Sequence, residues 1–417
     1  MRNYFASKSV ALHLILLKKG INCFASKNSS LGINEPINSN PYFKPKRKIL
    51  IVGMSESPHL HTWIDGLAES SLVQEVWLFP SDFPVKRKKN KEIHIREFPY
   101  FMFGKFSNYS FRVLDILTAR LWRSYFLYRE IRRLKPTHIH FQETQHAAYL
   151  YNPIANHPKN KFRGKLIVST WGSDLIFYGK LKSHETEIVQ VMSWCTLLTS
   201  ERSVDLHVAL SHGYRGKFLA PVYITIGNKI QAGQFKKPSE RSLVLIKGYQ
   251  DMHGRALNAL ESLEKLAAKM SLEKYQFRIY SASSEVTAKI ELMQQTTGLD
   301  LQVLPRMPKR QLMRYFGEAR VYIGLAISDG LSTSMVEAMA NGVFPIQSEN
   351  SAAPDFLESG VTGGIVDPWN IDEIAKILKI ALTNNDLVTL AAEKNLVTLF
   401  KKYNWEIGLA KLAEVCE

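Results

Sequence analysis

The sequence is poor in cysteine and has no long apolar run. Its three cysteines, Cys23, Cys195 and Cys416, are scattered over 417 residues and lack the spacing of a zinc site. An odd number of unpaired cysteines favours a reducing compartment over a disulfide-linked scaffold. No apolar run approaches the roughly 18 residues that span a membrane. These absences predict a cytoplasmic protein.

Motifs for nucleic-acid binding are also missing, although the chain is strongly basic. The net charge is +16 and the pI is about 9.5, with basic clusters at residues 46–48, 86–91 and 132–133. A charge of this size indicates an anionic partner. Because neither zinc-finger spacing nor an aromatic RNA-binding motif is present, we expect phosphorylated substrates or an anionic membrane surface rather than nucleic acid.

The stretch from Tyr109 to Lys135 predicts an amphipathic basic helix, in which arginines alternate with large apolar residues. The arginines are Arg112, Arg120, Arg123, Arg129, Arg132 and Arg133, and the apolar residues are Phe111, Leu114, Leu117, Leu121, Phe126 and Leu127. Such a helix suits a membrane surface that carries anionic lipid. The alternative is an ordinary helix with one face in solvent and the other packed on a sheet.

Residues 1–45 differ in composition from the rest of the chain. Their one apolar run, residues 10–17, is flanked by lysines, is too short to span a bilayer and lacks a convincing cleavage site, so no signal peptide is expected. Residues 32–46 are rich in Asn, Pro and Ser, which is typical of a linker. We expect an extension that is either disordered or lies on a membrane surface.

From residue 46 onward, short apolar segments alternate with helical patterns, which is typical of an α/β protein with parallel sheets. The first group of predicted strands covers residues 48–53, 75–79, 93–98, 138–142, 165–170 and 222–226. The second group covers residues 242–248, 276–282, 301–304, 321–326, 343–346 and 363–366. Ser57 and Pro58 are predicted to begin the first helix.

The length of the chain predicts two domains, because 417 residues exceed what one core supports. We place the first domain at 46–226, a hinge at 227–241 and the second domain at 242–385. Two helices should follow at 386–417. Ligands of doubly wound sheets bind beyond the carboxyl ends of the strands, so the site is expected in a cleft between the domains.

The most informative segment runs from Ser328 to Ser348 and predicts a loop, a short helix and a buried strand. Gly342 is placed to end the helix in the left-handed conformation. Free amide groups and the helix dipole at the start of the helix form a site for phosphate. The residues assigned to this site are Gly330 and three candidate caps, Ser332, Thr333 and Ser334.

Two acids accompany the start of this helix. Glu337 would lie one turn into the helix, where its carboxylate can accept two hydrogen bonds from a sugar diol. Asp329 would face the same cleft from the preceding loop. The alternative is purely structural, since Ser334 and Glu337 also fit a capping box.

The whole string resembles the retaining glycosyltransferases of family four. Their signature is a Glu-x7-Glu pair whose second Glu begins a run of the form Glu-Ala-Met-Ala-x-Gly-x-Pro-Val-Ile, and residues 337–346 read EAMANGVFPI. Residues 351–378 resemble the family's next segment. The pair departs from the signature at Asp329, which is one methylene shorter than Glu.

The resemblance implies the GT-B fold, in which two doubly wound Rossmann-like domains face a cleft and the last helix crosses back to brace the first domain. It also implies that the transferred sugar keeps its anomeric configuration and that neither a metal ion nor a cofactor is needed. The expected donor is a nucleotide-sugar, such as a UDP- or GDP-sugar. The expected acceptor is a glycan or a lipid-linked glycan.

On the donor side, Lys247 and Arg255 are candidates to hold the diphosphate, the lysine as a point charge and the arginine as a bidentate fork. Their spacing differs from that of the family, and the alternative is two surface cations. Residues 171–174 read WGSD and resemble the family's His-Gly-x-Asp loop. Trp171 can stack on a sugar ring but cannot exchange protons.

The remaining candidates lie on this loop and on other loops of the first domain. Ser173 and Asp174 retain hydrogen-bonding groups, and His146 could supply the missing imidazole, unless it is a buried or capping residue. The candidates for acceptor binding are Ser57, His59, His61, Trp171 and Ser173.

We therefore expect a retaining glycosyltransferase, peripheral on the inner face of the membrane, that builds a cell-surface polysaccharide or a glycolipid. Its predicted catalytic residues are Asp329, Glu337, Asp174 and His146. One alternative is a nucleotide-sugar epimerase of the same fold, which would need acid and base groups on either side of a sugar carbon. The other is a non-catalytic protein that binds a nucleotide-sugar.

Overall fold

The computed structural model describes most of the chain after the N-terminal extension. The described residues are 47–55, 57–69, 73–81, 108–118, 120–223, 225 and 235–417. The extension at 1–45, the predicted strand at 93–98, the basic cluster at 86–91 and most of the predicted hinge at 227–241 lie outside them. No helix within the described ranges has both the length and the apolar character needed to cross a bilayer.

The first half of the chain forms a six-stranded parallel sheet in the order β2-β1-β3-β4-β5-β6. Its strands are β1 (Arg47–Gly53), β2 (Val73–Pro80), β3 (His138–Gln142), β4 (Lys165–Ser169), β5 (Leu197–Thr199) and β6 (Lys217–Leu219). All five residues of β3 are buried, as expected of a strand covered on both faces. The strand order reverses between β1 and β3, so the loops after these two strands border a crevice.

Helices connect these strands. They are α1 (Pro58–Glu69), α2 (Asn108–Leu117), α3 (Leu121–Leu134), α4 (Asn152–Ala155), α5 (Ser173–Ile176), α6 (Lys182–Trp194) and α7 (Asp205–Ser211). Short 3-10 turns occur at Ala148–Tyr151 and Tyr178–Lys180. The stretch predicted as one basic helix is therefore two helices joined by a turn.

The second half forms another six-stranded parallel sheet, in the order β12-β11-β10-β7-β8-β9. Its strands are β7 (Leu243–Lys247), β8 (Gln276–Tyr280), β9 (Asp300–Val303), β10 (Ala319–Gly324), β11 (Phe344–Ser348) and β12 (Gly364–Val366). This is the doubly wound order, with its switch point between β7 and β10. The prediction of two parallel α/β sheets is confirmed.

Five of the helices described in the second half begin at side chains that cap them. They are α8 (Ala256–Ala267), α9 (Ser284–Thr297), α10 (Lys309–Glu318), α11 (Thr333–Ala340), α12 (Ala353–Phe356), α13 (Ile371–Thr383), α14 (Asn385–Lys402) and α15 (Trp405–Cys416). The capping residues of α9, α11, α13, α14 and α15 are Ser283, Ser332, Asn370, Asn384 and Asn404. Each accepts a hydrogen bond from a backbone amide of the first turn.

One predicted strand of the first sheet is wrong. Residues 222–223 lie outside any strand, and the last strand is instead β6, which the sequence pattern did not indicate. β6 has three residues, of which only Leu219 is buried, so it shows no apolar run. Pro221 follows it and has no N–H group with which to continue the ladder.

The last helix packs against the first sheet. Leu412, Val415 and Cys416 are buried in one apolar cluster with Ile49 of β1 and Trp63 of α1. The apolar cores of the second sheet lie on its two faces and include residues of α8, α9 and α13 on one face and of α11 on the other. The described chain therefore ends on the sheet with which it begins.

The packing of α15 predicts a stability difference between two leucines. Leu412 is 1% exposed, whereas Leu390 of α14 is 42% exposed. Leu412→Ala should lose about 2–5 kcal/mol because it leaves a cavity, and Leu390→Ala should lose less than about 1 kcal/mol. Thermal unfolding measures both. Equal melting temperatures for the two variants would mean that α15 is not docked as described.

Candidate functional site

Two loops, one from each sheet, meet directly. Residues 170–172 follow β4 and residues 325–332 follow β10. A Cβ atom on Gly172 would lie 2.1 Å from the backbone nitrogen of Gly330, and Gly172 has φ +93°. Only glycine permits both this approach and this backbone conformation without strain. The carboxyl ends of the two sheets therefore face one another across this contact.

A buried glutamate fastens the contact. Glu201 follows β5, is 2% exposed, and accepts a hydrogen bond from the backbone N–H of Leu331 at 2.7 Å. A Cβ atom on Gly330 would lie 1.8 Å from the same carboxylate oxygen. The neighbouring Arg202 donates from Nη1 to the carbonyl oxygen of Asn350 at 3.1 Å. The Glu201 carboxyl group thus stands just before the start of α11.

Asp174, predicted to hydrogen-bond to substrate, instead holds two loops together. It is 3% exposed. Its Oδ1 accepts from the backbone and hydroxyl groups of Thr144 at 2.5 and 2.9 Å, and its Oδ2 accepts from the backbone N–H of Trp171 at 2.6 Å. Burial raises the pKa of Asp174, and these hydrogen bonds oppose the rise. Because both oxygens are occupied, Asp174 is a positioning residue for the Trp171 loop.

The Trp171 side chain begins a buried chain of hydrogen bonds. Its Nε1 donates to Gln142 Oε1 at 3.1 Å, and Gln142 Nε2 lies 3.3 Å from His140 Nε2. His140 Nε2 is 2.7 Å from Ser169 Oγ, which is 2.6 Å from Thr199 Oγ1. Burial lowers the pKa of His140 to about 3. A neutral imidazole with an unprotonated Nε2 can accept from Ser169 Oγ, and the longer contact from Gln142 Nε2 shares the same lone pair.

His59 of α1 is under the electrostatic influence of charged groups from the second half of the chain. Its ring lies edge-on to Trp171, with the ring centroids 6.1 Å apart. Burial lowers the pKa of His59, the Asp329 carboxylate opposes this, and Lys309 and Lys247 lower the pKa further. The neutral imidazole of the first half of the chain therefore faces one carboxylate and two ammonium groups of the second half.

Lys247 stands at the switch point of the second sheet, as the last residue of β7. Its ammonium group lies 4.7 Å from the centre of the Tyr249 ring. Burial alone would lower the pKa of Lys247, but the negative charge of Asp329, with smaller contributions from Tyr322, Tyr249 and Asp251, raises it. The lysine is thus held in its charged form beside Asp329.

Arg255, the other predicted cation, is engaged within its own loop. Its guanidinium lies over the Trp369 ring at 4.7 Å from the ring centre. Its Nη1 donates to the carbonyl oxygens of Asp251 and Gly254 at 3.0 and 2.6 Å. The described side-chain contacts of Arg255 are therefore with its own loop and with Trp369.

The start of α11 corrects the predicted capping box. The cap is Ser332, whose Oγ accepts from Met335 N at 3.4 Å, and not Ser334. The Ser334 hydroxyl accepts from Tyr280 Oη at 2.8 Å in the core, so it points away from the cleft, while Thr333 is partly exposed. Glu337 makes an ion pair with Lys309 Nζ at 2.7 Å instead of closing a box.

The remaining candidates are divided between the α1 loop and the first sheet's crevice. Ser57 donates its backbone N–H to Met54 O at 3.0 Å, and His61 Nε2 lies 3.0 Å from Ser55 O, so both residues have a contact within their own loop. Ser173 begins α5 and is partly exposed. His146 is exposed.

His146 lines a cavity of about 780 Å³ at the switch point of the first sheet. Met54 follows β1, Ser81 follows β2 and His146 follows β3, so the cavity lies beyond the carboxyl ends of three strands. Arg120 and His184 add cationic or titratable groups to its wall. A volume of this size fits a sugar-sized or larger ligand.

Three residues of the site were missed by sequence reasoning. Glu201, Gln142 and Lys309 were assigned no role, although each ends up bonded to a predicted site segment. The available signal was position, because Gln142 ends β3 and Glu201 lies just after β5, at the edge where sites form. For Lys309 the sequence carries no such signal, since it begins a helix.

Comparisons with known proteins agree with this geometry. Residues 229–395 match the protein family described as Glycosyl transferases group 1. An alignment 119 positions long, which covers 26% of the chain, is 29% identical to the amylovoran biosynthesis glycosyltransferase AmsK of Erwinia amylovora. The match spans 28% of the length of that relative. The resemblance stated from the EAMANG segment is thus confirmed.

Solved structures establish the fold. The N-terminal domain of a Candida albicans trehalose-6-phosphate phosphatase superposes with a TM-score of 0.66 at 12% identity, over 93% of this chain and 98% of the other. An E. coli trehalose-6-phosphate structure with bound UDP-2-fluoro glucose superposes with a TM-score of 0.65 at 15% identity, over 89% and 99%. The predicted GT-B fold is confirmed.

The close approach of Gly330 to Glu201 predicts that a larger residue at position 330 destabilises the protein and that removal of the Glu201 side chain offsets part of this loss. Gly330→Ala should lower the melting temperature by several degrees, equivalent to about 1–3 kcal/mol, because the new methyl group overlaps the Glu201 carboxylate. Glu201→Ala in the same chain should reduce that penalty, since it removes the overlapping group. Gly317→Ala is the matched control, as nothing lies within 4 Å of its Cβ position. An unchanged melting temperature for Gly330→Ala would mean that the loops do not touch in solution.

The buried His140 predicts a pH dependence of stability. Its pKa is about 3 in the folded protein against 6.5 for an unperturbed histidine. As pH falls below 6.5, the unfolded chain binds a proton at this histidine while the folded protein does not. The free energy of unfolding therefore decreases from its value above pH 6.5 until the pH reaches about 3. Between pH 6.5 and about pH 5, urea unfolding should show a steeper loss of stability for the wild type than for His140→Gln, by up to about 1.4 kcal/mol per pH unit. Identical slopes would contradict a buried neutral His140.

Proposed function

We propose, on the premise that residues 229–395 form a group 1 glycosyl transferase domain, that this chain transfers a sugar from a nucleotide-sugar donor to a glycan or lipid-linked acceptor. The observation that carries the proposal is that Asp329, Lys309 and Lys247 all act electrostatically on His59, while Lys309 also pairs with Glu337 of α11. These groups offer both cations for a diphosphate and carboxylates for hydroxyl groups. A UDP- or GDP-sugar is the proposed donor.

On the donor side, Lys247 is assigned to the diphosphate. It lies at the switch point of the second sheet, in the charged state that Asp329 favours. Breaking the glycosyl–phosphate bond leaves negative charge on the diphosphate, so a fixed ammonium group and the amide groups of a helix start stabilise the transition state. Lys309, 68% exposed in its side chain, is free to shift toward the same charge.

Glu337 and Asp329 are assigned to hydroxyl groups of the donor. The Glu337 side chain is 12% exposed, and a carboxylate at this depth can accept hydrogen bonds from two ribose hydroxyls. Asp329 acts electrostatically on both Lys247 and His59, and we assign it to orienting the sugar. Trp171, fixed by Gln142 and Asp174, offers an aromatic surface to the sugar from the first half of the chain.

The reaction is proposed to retain the anomeric configuration and to need neither a metal ion nor a further cofactor. Charge neutralisation by Lys247 supports the metal-free part of this proposal. Cell-surface polysaccharide synthesis is the proposed setting, in keeping with the relationship to an amylovoran biosynthesis enzyme. A cytoplasmic location is proposed because Cys195 and Cys416 are free and buried.

The donor assignment predicts selective stabilisation by one nucleotide. A thermal-shift panel of UDP, GDP, ADP and CMP with their sugars should raise the melting temperature with a single base, since a ligand at 100 times its Kd contributes about 2.7 kcal/mol. Glu337→Ala should lower the affinity for that nucleotide at least about tenfold, because a hydrogen bond to a buried charged group is lost. Glu358→Ala is the matched control, as its side chain is 66% exposed.

Two outcomes would count against the proposal. If no nucleotide shifts the melting temperature, the donor site is wrongly assigned. If a nucleotide-sugar binds but is neither transferred nor hydrolysed by the wild type, and Asp329→Ala changes affinity alone, the chain is a binding protein and not an enzyme. Interconversion of the sugar on the intact nucleotide would instead identify an epimerase.

A further inference from the structure

The turn between α2 and α3 exposes a group of large apolar side chains. Ile116 and Leu117 are 79% and 77% exposed, the highest values among the large hydrophobic residues of the described chain. Leu121 and Tyr125, at the start of α3, are 55% and 58% exposed. We call these four side chains the α2–α3 elbow. Exposed apolar clusters of this kind mark interaction surfaces.

The elbow is held firmly against the first sheet. Asp115 of α2 accepts hydrogen bonds from Trp122 Nε1 at 2.6 Å and from Arg123 Nε at 2.9 Å, both on α3. The same Arg123 forms an ion pair with Asp115 and donates to the carbonyl oxygen of Ser81 at the end of β2. The apolar side chains are therefore presented by a fixed support and cannot readily turn inward.

Cations continue the exposed face of α3 beyond the elbow. Leu121, Tyr125, Arg129 and Arg132 follow one another at spacings of four, four and three residues, and all four are exposed. Side chains with this spacing lie on one side of a helix. The helix face is thus apolar at one end and cationic at the other. This order matches an anionic bilayer, in which the acyl chains lie deeper than the phosphate groups.

The elbow also borders the cavity at the switch point of the first sheet. Ile116 and Arg120 line that cavity together with His146. Arg120 adopts φ +67°, the left-handed region that arginine rarely occupies, and its Nη1 donates to Gln145 O at 3.2 Å. A strained, cationic side chain is thus kept where the exposed apolar surface meets the cavity.

We propose that the α2–α3 elbow docks on an anionic lipid bilayer, so that the cavity it borders lies next to the membrane surface. The elbow inserts Ile116, Leu117 and Leu121 among the acyl chains, while Arg129 and Arg132 contact lipid phosphates. The acceptor is then a lipid-linked glycan that enters the cavity from the bilayer. This last step rests on the proposed function, whereas the docking itself does not.

Vesicle sedimentation with the full chain tests the docking. The wild type should bind vesicles of phosphatidylcholine and phosphatidylglycerol, and Ile116→Glu/Leu117→Glu should reduce the partition coefficient about tenfold or more. Arg129→Glu/Arg132→Glu should reduce binding only to vesicles that contain phosphatidylglycerol. Leu292→Glu, at a side chain 53% exposed on α9, is the matched control and should bind like the wild type.

Each other result overturns the proposal. Wild-type protein that stays in the supernatant, or elbow variants that bind as well as the wild type, would exclude the elbow as the docking surface. If Ile116→Glu/Leu117→Glu instead converts a dimer to a monomer without vesicle binding, the elbow is a contact between copies of the chain. Nucleotide thermal shifts of the same variants separate these outcomes from failure of the donor site, which lies on the other sheet.

Discussion

The candidate site depends on the approach of two glycine backbones. Gly172 and Gly330 belong to loops at the carboxyl ends of different sheets, and a side chain on either would collide with backbone or carboxylate atoms of the other half. Their contact brings Glu201 within hydrogen-bonding distance of Leu331. It also brings His59 under the electrostatic influence of Asp329. The chemistry assigned to the cleft needs groups from both halves. It therefore depends on Gly172 and Gly330, which have no side chain to keep the two loops apart.

Much of the fold could be predicted because parallel strands covered on both faces are continuous apolar runs. The segments HIHFQ and VYIGLA give β3 and β10 for this reason. The predictions failed where that signal is missing or misleading. β6 is too short to show a run, and the apolar residues at 222–223 are buried without pairing in a strand.

The site was less predictable than the fold, because its partners are far apart in sequence. A local pattern correctly indicated a helix after residue 332 and its end at Gly342, which has φ +66°. The same pattern could not show that Glu337 pairs with Lys309, or that Leu331 donates to a glutamate 130 residues away. Nor could it show that both carboxylate oxygens of Asp174 accept hydrogen bonds from Thr144 and Trp171. Such pairings are set by how the two sheets face each other.

The ion pair between Lys309 and Glu337 has a consequence for the energetics of ligand entry. Glu337 is largely buried, but its partner lysine is mostly exposed, so the carboxylate is already desolvated and oriented before any ligand arrives. A hydroxyl ligand would therefore exchange with an ammonium group rather than with bulk water. Salt screens an ion pair more strongly when one partner is exposed than when both are buried. Higher ionic strength should therefore weaken the Lys309–Glu337 pair and make the carboxylate easier for a ligand to reach.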